Sequence, residues 1–269
     1  MSASAIATRG RLVCVGVGMT LGSHITPIAQ SEIDHADVVF AGVSDAIVEL
    51  WLREMHPDVR SLQPYYAAGK SRHDTYGEMV EAILVEVRAG KRVCGVFYGH
   101  PGIFALAPHQ SIELARAEGY EARMEPGVSS EDCLYADLGI DPGTFGCQHF
   151  EATQFIVYKR VVDPSAWLFL WQVGLVGDLT LGKLDTGPAY RQVLVDVLMR
   201  HYPGDHEVIV YKVPTLPIER PSIRRVRLDQ LVDTVVSTSE TVAIPPAKAL
   251  VLDPTVRERL DALRHADVA

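Results

Sequence analysis

The segment Leu12-Val-Cys-Val-Gly-Val17 has no polar position, and it runs straight into a glycine turn, Gly16-Val-Gly18-Met-Thr-Leu-Gly22. A strand with one wet face alternates polar and apolar residues. One that is apolar throughout is covered on both faces, which belongs to a parallel sheet layered between helices. The start of the chain is thereby committed to an α/β architecture. Thr26-Pro27 then supplies an N-cap with proline at the first helical position, so a helix is expected to about His35, followed by a strand at Val38–Phe40.

The same alternation continues. A helix is expected from Ser44 to about Met55, a strand near Val59–Leu62, and a longer helix from Ser71, where Asp74 completes an approximate capping box. Met79, Val80, Ile83, Leu84 and Val87 recur at helical spacing, Gly90 ends the pattern, and Val93–Tyr98 reads as the next buried strand. A helix over Pro108–Glu118 and a strand over Tyr120–Met124 close an N-terminal α/β domain, residues 11–125, behind a disordered tail of residues 1–10. From Pro126 the pattern changes. Strand-like runs at Phe155–Tyr158, Trp167–Trp171, Glu207–Tyr211 and Thr241–Ile244, with one helix at Tyr190–His201, predict a mixed α+β domain over residues 126–246. A C-terminal extension, residues 247–269, carries a helical stretch from Thr255 to His265, and no internal repeat is present.

Composition excludes several classes. The 34 acidic residues outnumber the 25 basic ones, a formal charge of -9, which argues against a nucleic-acid partner. The four cysteines form no C-x-x-C pair and the N-terminus lacks a signal pattern, so a reducing, cytoplasmic setting is expected. The longest apolar stretch, Trp167–Val176, is broken by Gln172 and Gly174 and is shorter than the roughly 20 residues of a bilayer span, so no membrane partner is expected. The ten histidines show no metal-ligand spacing, and H-E-x-x-H, P-loop and G-x-S-x-G motifs are absent, so no metal is expected. Arg220, Arg224, Arg225 and Arg227 read as a basic patch or as a solvated strand edge between Glu219 and Asp229.

Three segments carry candidate chemistry. The Gly16–Gly22 turn misses the dinucleotide fingerprint by one residue and reads either as a ligand-facing loop or as a plain tight turn. Tyr98-Gly-His-Pro-Gly-Ile-Phe104 lies beyond the carboxyl end of a buried strand, where α/β folds place their ligand crevice; a turn holding a satisfied His100 is the alternative. Arg72 and Tyr76, one helical turn apart and close behind Tyr65-Tyr66, form the third. There a guanidinium stabilises a phenolate or another oxyanion, or else simply stacks on an exposed ring.

In this order, VGVGMTLGSHIT, FYGHPGIF, MEPGVSSEDCLYADLGIDP, LWQVG and TVAIPPAK resemble the tetrapyrrole (precorrin-like) methylase superfamily, over about Leu12 to Pro246. Gly22-Ser-His-Ile-Thr26 and Gly99-His-Pro101 depart from the superfamily's usual Pro-containing turn and Gly-Asp-Pro loop. They are similar instead to the borosin-type peptide backbone α-N-methyltransferases, as are Tyr66, Ser71-Arg-His-Asp-Thr-Tyr76, Phe150-Glu-Ala-Thr-Gln-Phe155 and Ile244-Pro-Pro-Ala-Lys248.

The resemblance implies a two-domain fold with S-adenosylmethionine in the cleft between the domains. Tyr98, His100, Ile103 and Ala105 would hold it on one side, and Gln172, Val213 and Thr241 on the other. It implies that Tyr76 removes or relays the amide proton beside Arg72, that Arg72 and Tyr66 hold the carbonyl oxygen, and that Tyr98 aligns the amide. The expected substrate is the backbone of a separate ribosomal precursor with its own docking domain, methylated iteratively. The expected assembly is a homodimer that forms a heterotetramer with that precursor. The alternatives are a tetrapyrrole or other small-molecule methylase of the same fold, and a catalytically silent peptide-binding partner.

Overall fold

The computed structural model describes residues 10–67, 69–180, 182–183 and 185–266. The expected tail lies outside the described residues except for Gly10. The first sheet is built from β1 (Arg11–Gly16), β2 (Val38–Gly42), β3 (Val59–Ser61), β4 (Arg92–Phe97) and β5 (Glu121–Glu125). They lie in the order β3-β2-β4-β1-β5, and every pairing is parallel. Four helices cover it: α1 (Pro27–Asp34), α2 (Ala46–Met55), α3 (Arg72–Arg88) and α4 (Leu106–Ala117).

The unbroken apolar run of β1 follows from this layering. Leu12 and Cys14 pack with Met79, Ile83 and Ile112 of α3 and α4, while Val13 and Val15 pack with Ala29, Ile33 and Leu52 of α1 and α2. Successive residues of one strand thus enter two different cores. Thr26 caps α1 through a bond from Ala29 N (3.1 Å). Asp45, one residue later than expected, caps α2. Ser71 caps α3 by accepting from His73 N (3.1 Å). The full capping box forms at Ser129 and Asp132, at the start of α5 (Ser130–Leu138).

The second sheet holds β6 (Cys147–Glu151), β7 (Trp167–Trp171), β8 (Glu207–Lys212), β9 (Ser222–Arg227) and β10 (Thr241–Ile244) in the order β6-β7-β10-β8-β9. β6 runs parallel to β7 and the other pairings are antiparallel. The short helix α6 (Pro142–Phe145) leads into β6, and α7 (Ala152–Val157) follows it. One face of the sheet buries Leu168, Leu170, Val208 and Val242 against α7 and α8 (Pro188–Leu198). The other buries Phe169, Trp171, Ile209 and Tyr211 against Cys133 and Leu134 of α5.

The strand expected at Phe155–Tyr158 is helical as far as Val157, within α7. The Glu151 carboxylate accepts from Thr153 N (3.0 Å) and Gln154 N (2.7 Å), satisfying the first-turn amides, and Ala152 and Phe155 turn into the core three residues apart. Arg224, Arg225 and Arg227 of the arginine-rich segment lie on the outer strand β9, just after Arg220, and Arg224 pairs with Glu240 and Arg225 with Glu207, each at 2.7 Å. The solvated-edge reading of that segment holds. The final helix, α9 (Pro254–Ala266), buries none of its residues and exposes Val256, Leu260 and Leu263. Among the described residues, no helix is long and apolar enough to cross a membrane.

Candidate active site

The site begins where β1 and β4, adjacent and parallel, send their connections to opposite sides of the sheet. Crevices at such points are the usual ligand positions of α/β folds. Gly18 and Gly99 bridge there through paired backbone bonds of 3.2 and 2.8 Å. A methyl group on Gly16 would stand 2.2 Å from Gly99 O and 2.9 Å from Gly127 Cα, and one on Gly127 would stand 2.4 Å from Gly99 O. The glycines therefore let three loops pack backbone on backbone. They lock these loops to one another rather than clearing space for a ligand, so the plain-turn reading of Gly16 is the one its contacts support.

The first glycine turn also reaches the second sheet. Thr20 Oγ1 donates to Pro214 O (3.0 Å) and Leu21 N to Thr215 O (2.8 Å), in the segment just after β8. Two adjoining cavities of about 310 and 360 Å³ share Arg72 and Gln172 in their linings. Tyr76, Phe104, Ala105 and His109 are among those completing one. Glu151, Val157, Tyr158, Leu175 and Asp178 are among those completing the other.

Helix α3 puts Arg72 in its first turn and Tyr76 one turn later. The Arg72 guanidinium reaches across to donate to Lys183 O at 3.0 Å. The Tyr66 ring stands edge-on to Tyr76, centroids 6.3 Å apart at 90°. Burial pushes the Tyr66 phenol well above its ordinary pKa, and the Tyr76 phenol and Tyr98 add to this against the pull of Arg72. Tyr98 is likewise raised, first by burial and then by Tyr76, although about half of its residue surface faces open space. Both phenols therefore stay protonated at neutral pH and act as O–H donors.

Strain converges on the same place. Among the described residues, Phe104 (φ 50°) and Gln172 (φ 58°) are the non-glycine residues with left-handed backbone, and both line the cavity that contains Tyr76. Such conformations persist only where the surroundings over-determine them, and they concentrate at functional sites.

The expected site residues fall into three groups. Arg72, Tyr76, Ala105 and Gln172 line the cavities, and Tyr66 and Tyr98 interact electrostatically with Tyr76 and Arg72. His100 turns its Nδ1 back to accept from Gly102 N (2.9 Å), while Ile103 is exposed beside Phe104. Val213 and Thr241 are buried at the ends of β8 and β10, Val213 in a core shared with Met19 and Val128, and neither lines the two cavities. Asp178, which no sequence motif marks, also lines a cavity, and Trp171 packs against Phe104. Asp178 accepts from Thr180 N (3.0 Å) and Lys183 N (2.8 Å), which shapes the loop that holds Arg72. Among the described residues, no cluster of His, Cys, Asp and Glu is arranged to hold a metal ion.

Residues 11–232 match the family model for Tetrapyrrole (Corrin/Porphyrin) Methylases. The chain belongs to this family, among the methyltransferases related to the borosin peptide precursors. It is 42% identical to a "methyltransferase/ribosomally synthesized type I borosin cyclic peptide precursor" of Coprinopsis marcescibilis, across 99% of this chain and 70% of that protein. It is 41% identical to the methyltransferase/gymnopeptides precursor of Gymnopus fusipes, across 98% and 64%. The methyltransferase/dendrothelin A precursor of Dendrothele bispora is 40% identical, across 91% and 60%. The chain thus spans about two thirds of the length of these relatives. Among solved structures, the fold is shared with cobalt precorrin-4 methyltransferase (TM-score 0.62, 19% identity, 91% of this chain and 98% of that one). It is shared too with uroporphyrin-III C-methyltransferase from Thermus thermophilus (0.61, 17%, 92% and 99%).

Proposed function

We propose that this protein is an S-adenosylmethionine-dependent methyltransferase that α-N-methylates backbone amides of a ribosomal precursor peptide, iteratively. The observation that carries the reading is the convergence of Arg72, Tyr76, Tyr66 and Tyr98 on a cleft whose walls are Ala105 and Gln172. The cleft suits the methyl donor. Its volume lies in the range of about 300–1,000 Å³ usual for small-ligand sites, and its aromatic faces suit a sulfonium cation. Tyr98, His100, Ile103, Ala105 and Gln172 would hold the donor, with Val213 and Thr241 supporting the walls behind. Once bound, it supplies a methyl group activated by a positively charged sulfur.

The protein's own task is to make an amide nitrogen nucleophilic. The nitrogen lone pair is delocalised into the carbonyl, so the N–H proton must leave and the oxygen must take up negative charge. Arg72 and the protonated Tyr66 phenol hold that oxygen as it becomes imidate-like. Tyr76 receives or relays the proton from nitrogen, and Tyr98 fixes the plane of the amide. Arg72 is already engaged with a peptide carbonyl, that of Lys183, the group it would grip in a substrate.

The precursor is proposed to be a separate protein with its own docking domain, in contrast to the relatives whose names join methyltransferase and precursor. The assembly is proposed to be a cytoplasmic homodimer that forms a heterotetramer with it. The bare apolar face of α9 supports a protein partner at that end.

The test is intact and fragment mass of a candidate precursor co-expressed with the protein, with Arg72→Ala and with Tyr76→Phe. One-methyl increments on backbone nitrogens are expected with the native chain and absent with both variants, whose cofactor affinity stays near normal. Near-normal turnover in both variants would overturn the mechanism. An unmodified precursor despite cofactor binding would favour a small-molecule methylase.

A further inference from the structure

The two left-handed residues of the cleft share a neighbour. Gln172 follows Trp171 in the chain, and the Phe104 ring packs on the Trp171 indole with centroids 5.5 Å apart. From the adjacent strand β6, His149 lies edge to edge with the same indole, planes 17° apart and centroids 6.0 Å, and accepts a hydrogen bond from indole Nε1 at 3.2 Å. Phe169 stacks against His149 (4.8 Å, 24°), and Trp167 stacks on Phe169 (5.9 Å, 6°). A ladder of five rings thus runs along one face of β6 and β7 and ends at Phe104, in the cavity wall.

Hydrogen bonding fixes the histidine's tautomer. Indole N–H only donates, so His149 Nδ1 carries the lone pair and its proton sits on Nε2. Nε2 donates to the Tyr135 oxygen (2.8 Å), whose own O–H donates to Glu131 Oε1 (3.0 Å). Stacking alone leaves an indole free to slide and rotate in its own plane. The bond to Nδ1 removes that freedom.

We propose that His149 is a positioning residue for the cleft: its Nδ1 fixes the Trp171 indole, which braces Phe104 and Gln172 in the left-handed conformations that shape the walls receiving S-adenosylmethionine. The last clause rests on the proposed function; the brace itself does not. Burial also holds the His149 pKa below its ordinary value, which keeps the ring neutral and Nδ1 available as an acceptor at neutral pH.

The experiment has a ligand-free arm and a ligand arm. In a Trp51→Phe/Trp167→Phe background the remaining tryptophan is Trp171, and its acrylamide quenching reports how well Phe104 covers it. His149→Phe keeps a ring in the stack but removes the acceptor, whereas His149→Asn offers an amide oxygen near the Nδ1 position. Quenching is expected to rise in His149→Phe, as it does in Phe104→Ala, and to return to the parent value in His149→Asn. In the otherwise native chain, calorimetry with S-adenosylhomocysteine should show about 5- to 10-fold weaker binding for His149→Phe, the worth of one hydrogen bond. Affinity should recover in His149→Asn, and His149→Phe should cost nothing further in a Trp171→Phe chain. Unchanged quenching in His149→Phe, failure of the asparagine to rescue, or additive losses in the double variant would overturn the brace. Predicted quenching in a protein that binds no S-adenosylhomocysteine would overturn the methyl-donor reading and leave the brace standing.

Discussion

Replacing Gly16 with alanine tests the backbone-on-backbone packing of these loops directly. The new methyl would stand 2.2 Å from Gly99 O, 2.9 Å from Gly127 Cα and 2.9 Å from Pro101 Cδ. Ordinary carbon contacts begin near about 3.5 Å, so the loops must part by roughly 1.3 Å at the closest point. Two of the three obstacles are backbone and cannot rotate away. The cost is expected at or above the upper end of the about 1–3 kcal/mol usual for overpacking. At about 2–4 °C per kcal/mol for a chain near this size, a 3 kcal/mol loss lowers Tm by about 6–12 °C. Gly99 lies between Tyr98 and His100, so S-adenosylhomocysteine affinity should fall as well. Gly77→Ala is the control: it lies in α3, and its methyl would meet nothing within 4 Å. Alanine there should stabilise by about 0.5–1 kcal/mol and raise Tm. Differential scanning calorimetry reads both, and a Gly16→Ala protein as stable as the parent would refute the packing argument.

Tyr211→Phe removes a 2.7 Å bond to Asp137 Oδ2 and should cost about 1.5–3 kcal/mol, read as a lower urea midpoint at unchanged slope. The lowered pKa of His149 makes protonation unfavourable to the folded state. Its stabilising contribution is therefore complete above the ordinary value of 6.5 and is lost as pH falls below it. Urea unfolding at pH 7.5 and 5.5 should show a steeper loss for the native chain than for His149→Asn, and parallel losses would contradict this. Burial pushes the Cys14 thiol up to about 12 and Cys94 well above its ordinary value. Iodoacetamide at mildly alkaline pH should therefore spare both until denaturant is added, as peptide mass mapping can establish.

The legible parts of this fold are those where one residue type does one job. Leu12–Val17 announces a doubly covered strand because no position in it tolerates water, and Thr26-Pro27 marks a helix start because cap and ring geometry are local. Phe155–Val157 misleads because a short apolar run carries no period; the Glu151 carboxylate, four residues earlier, decides it. Strand β6, Cys147-Gln-His-Phe-Glu151, has no apolar alternation to read and is held mainly by its partner β7. Within the site, Arg72 and Tyr76 are legible because helical spacing places them on one face. The pairing of His149 with Trp171 is not, since it spans 22 residues and depends on strand register. The left-handed backbone of Phe104 and Gln172 leaves no mark in residue type, because bulky side chains ordinarily avoid it.

The parallel pairings of the first sheet also impose an order in time. Every strand partner in that sheet lies between Arg11 and Glu125, so its register is settled by residues that leave the ribosome early. Phe104 emerges in that early stretch, but the indole that covers it arrives some 67 residues later and the histidine that pins the indole some 45 later. During synthesis the growing chain therefore presents half a cleft, with an apolar ring at its edge and Arg72 not yet tied to Lys183. The cleft is complete only once Gln172 and its neighbours from the second half of the chain have joined Arg72, Tyr76 and Phe104 from the first.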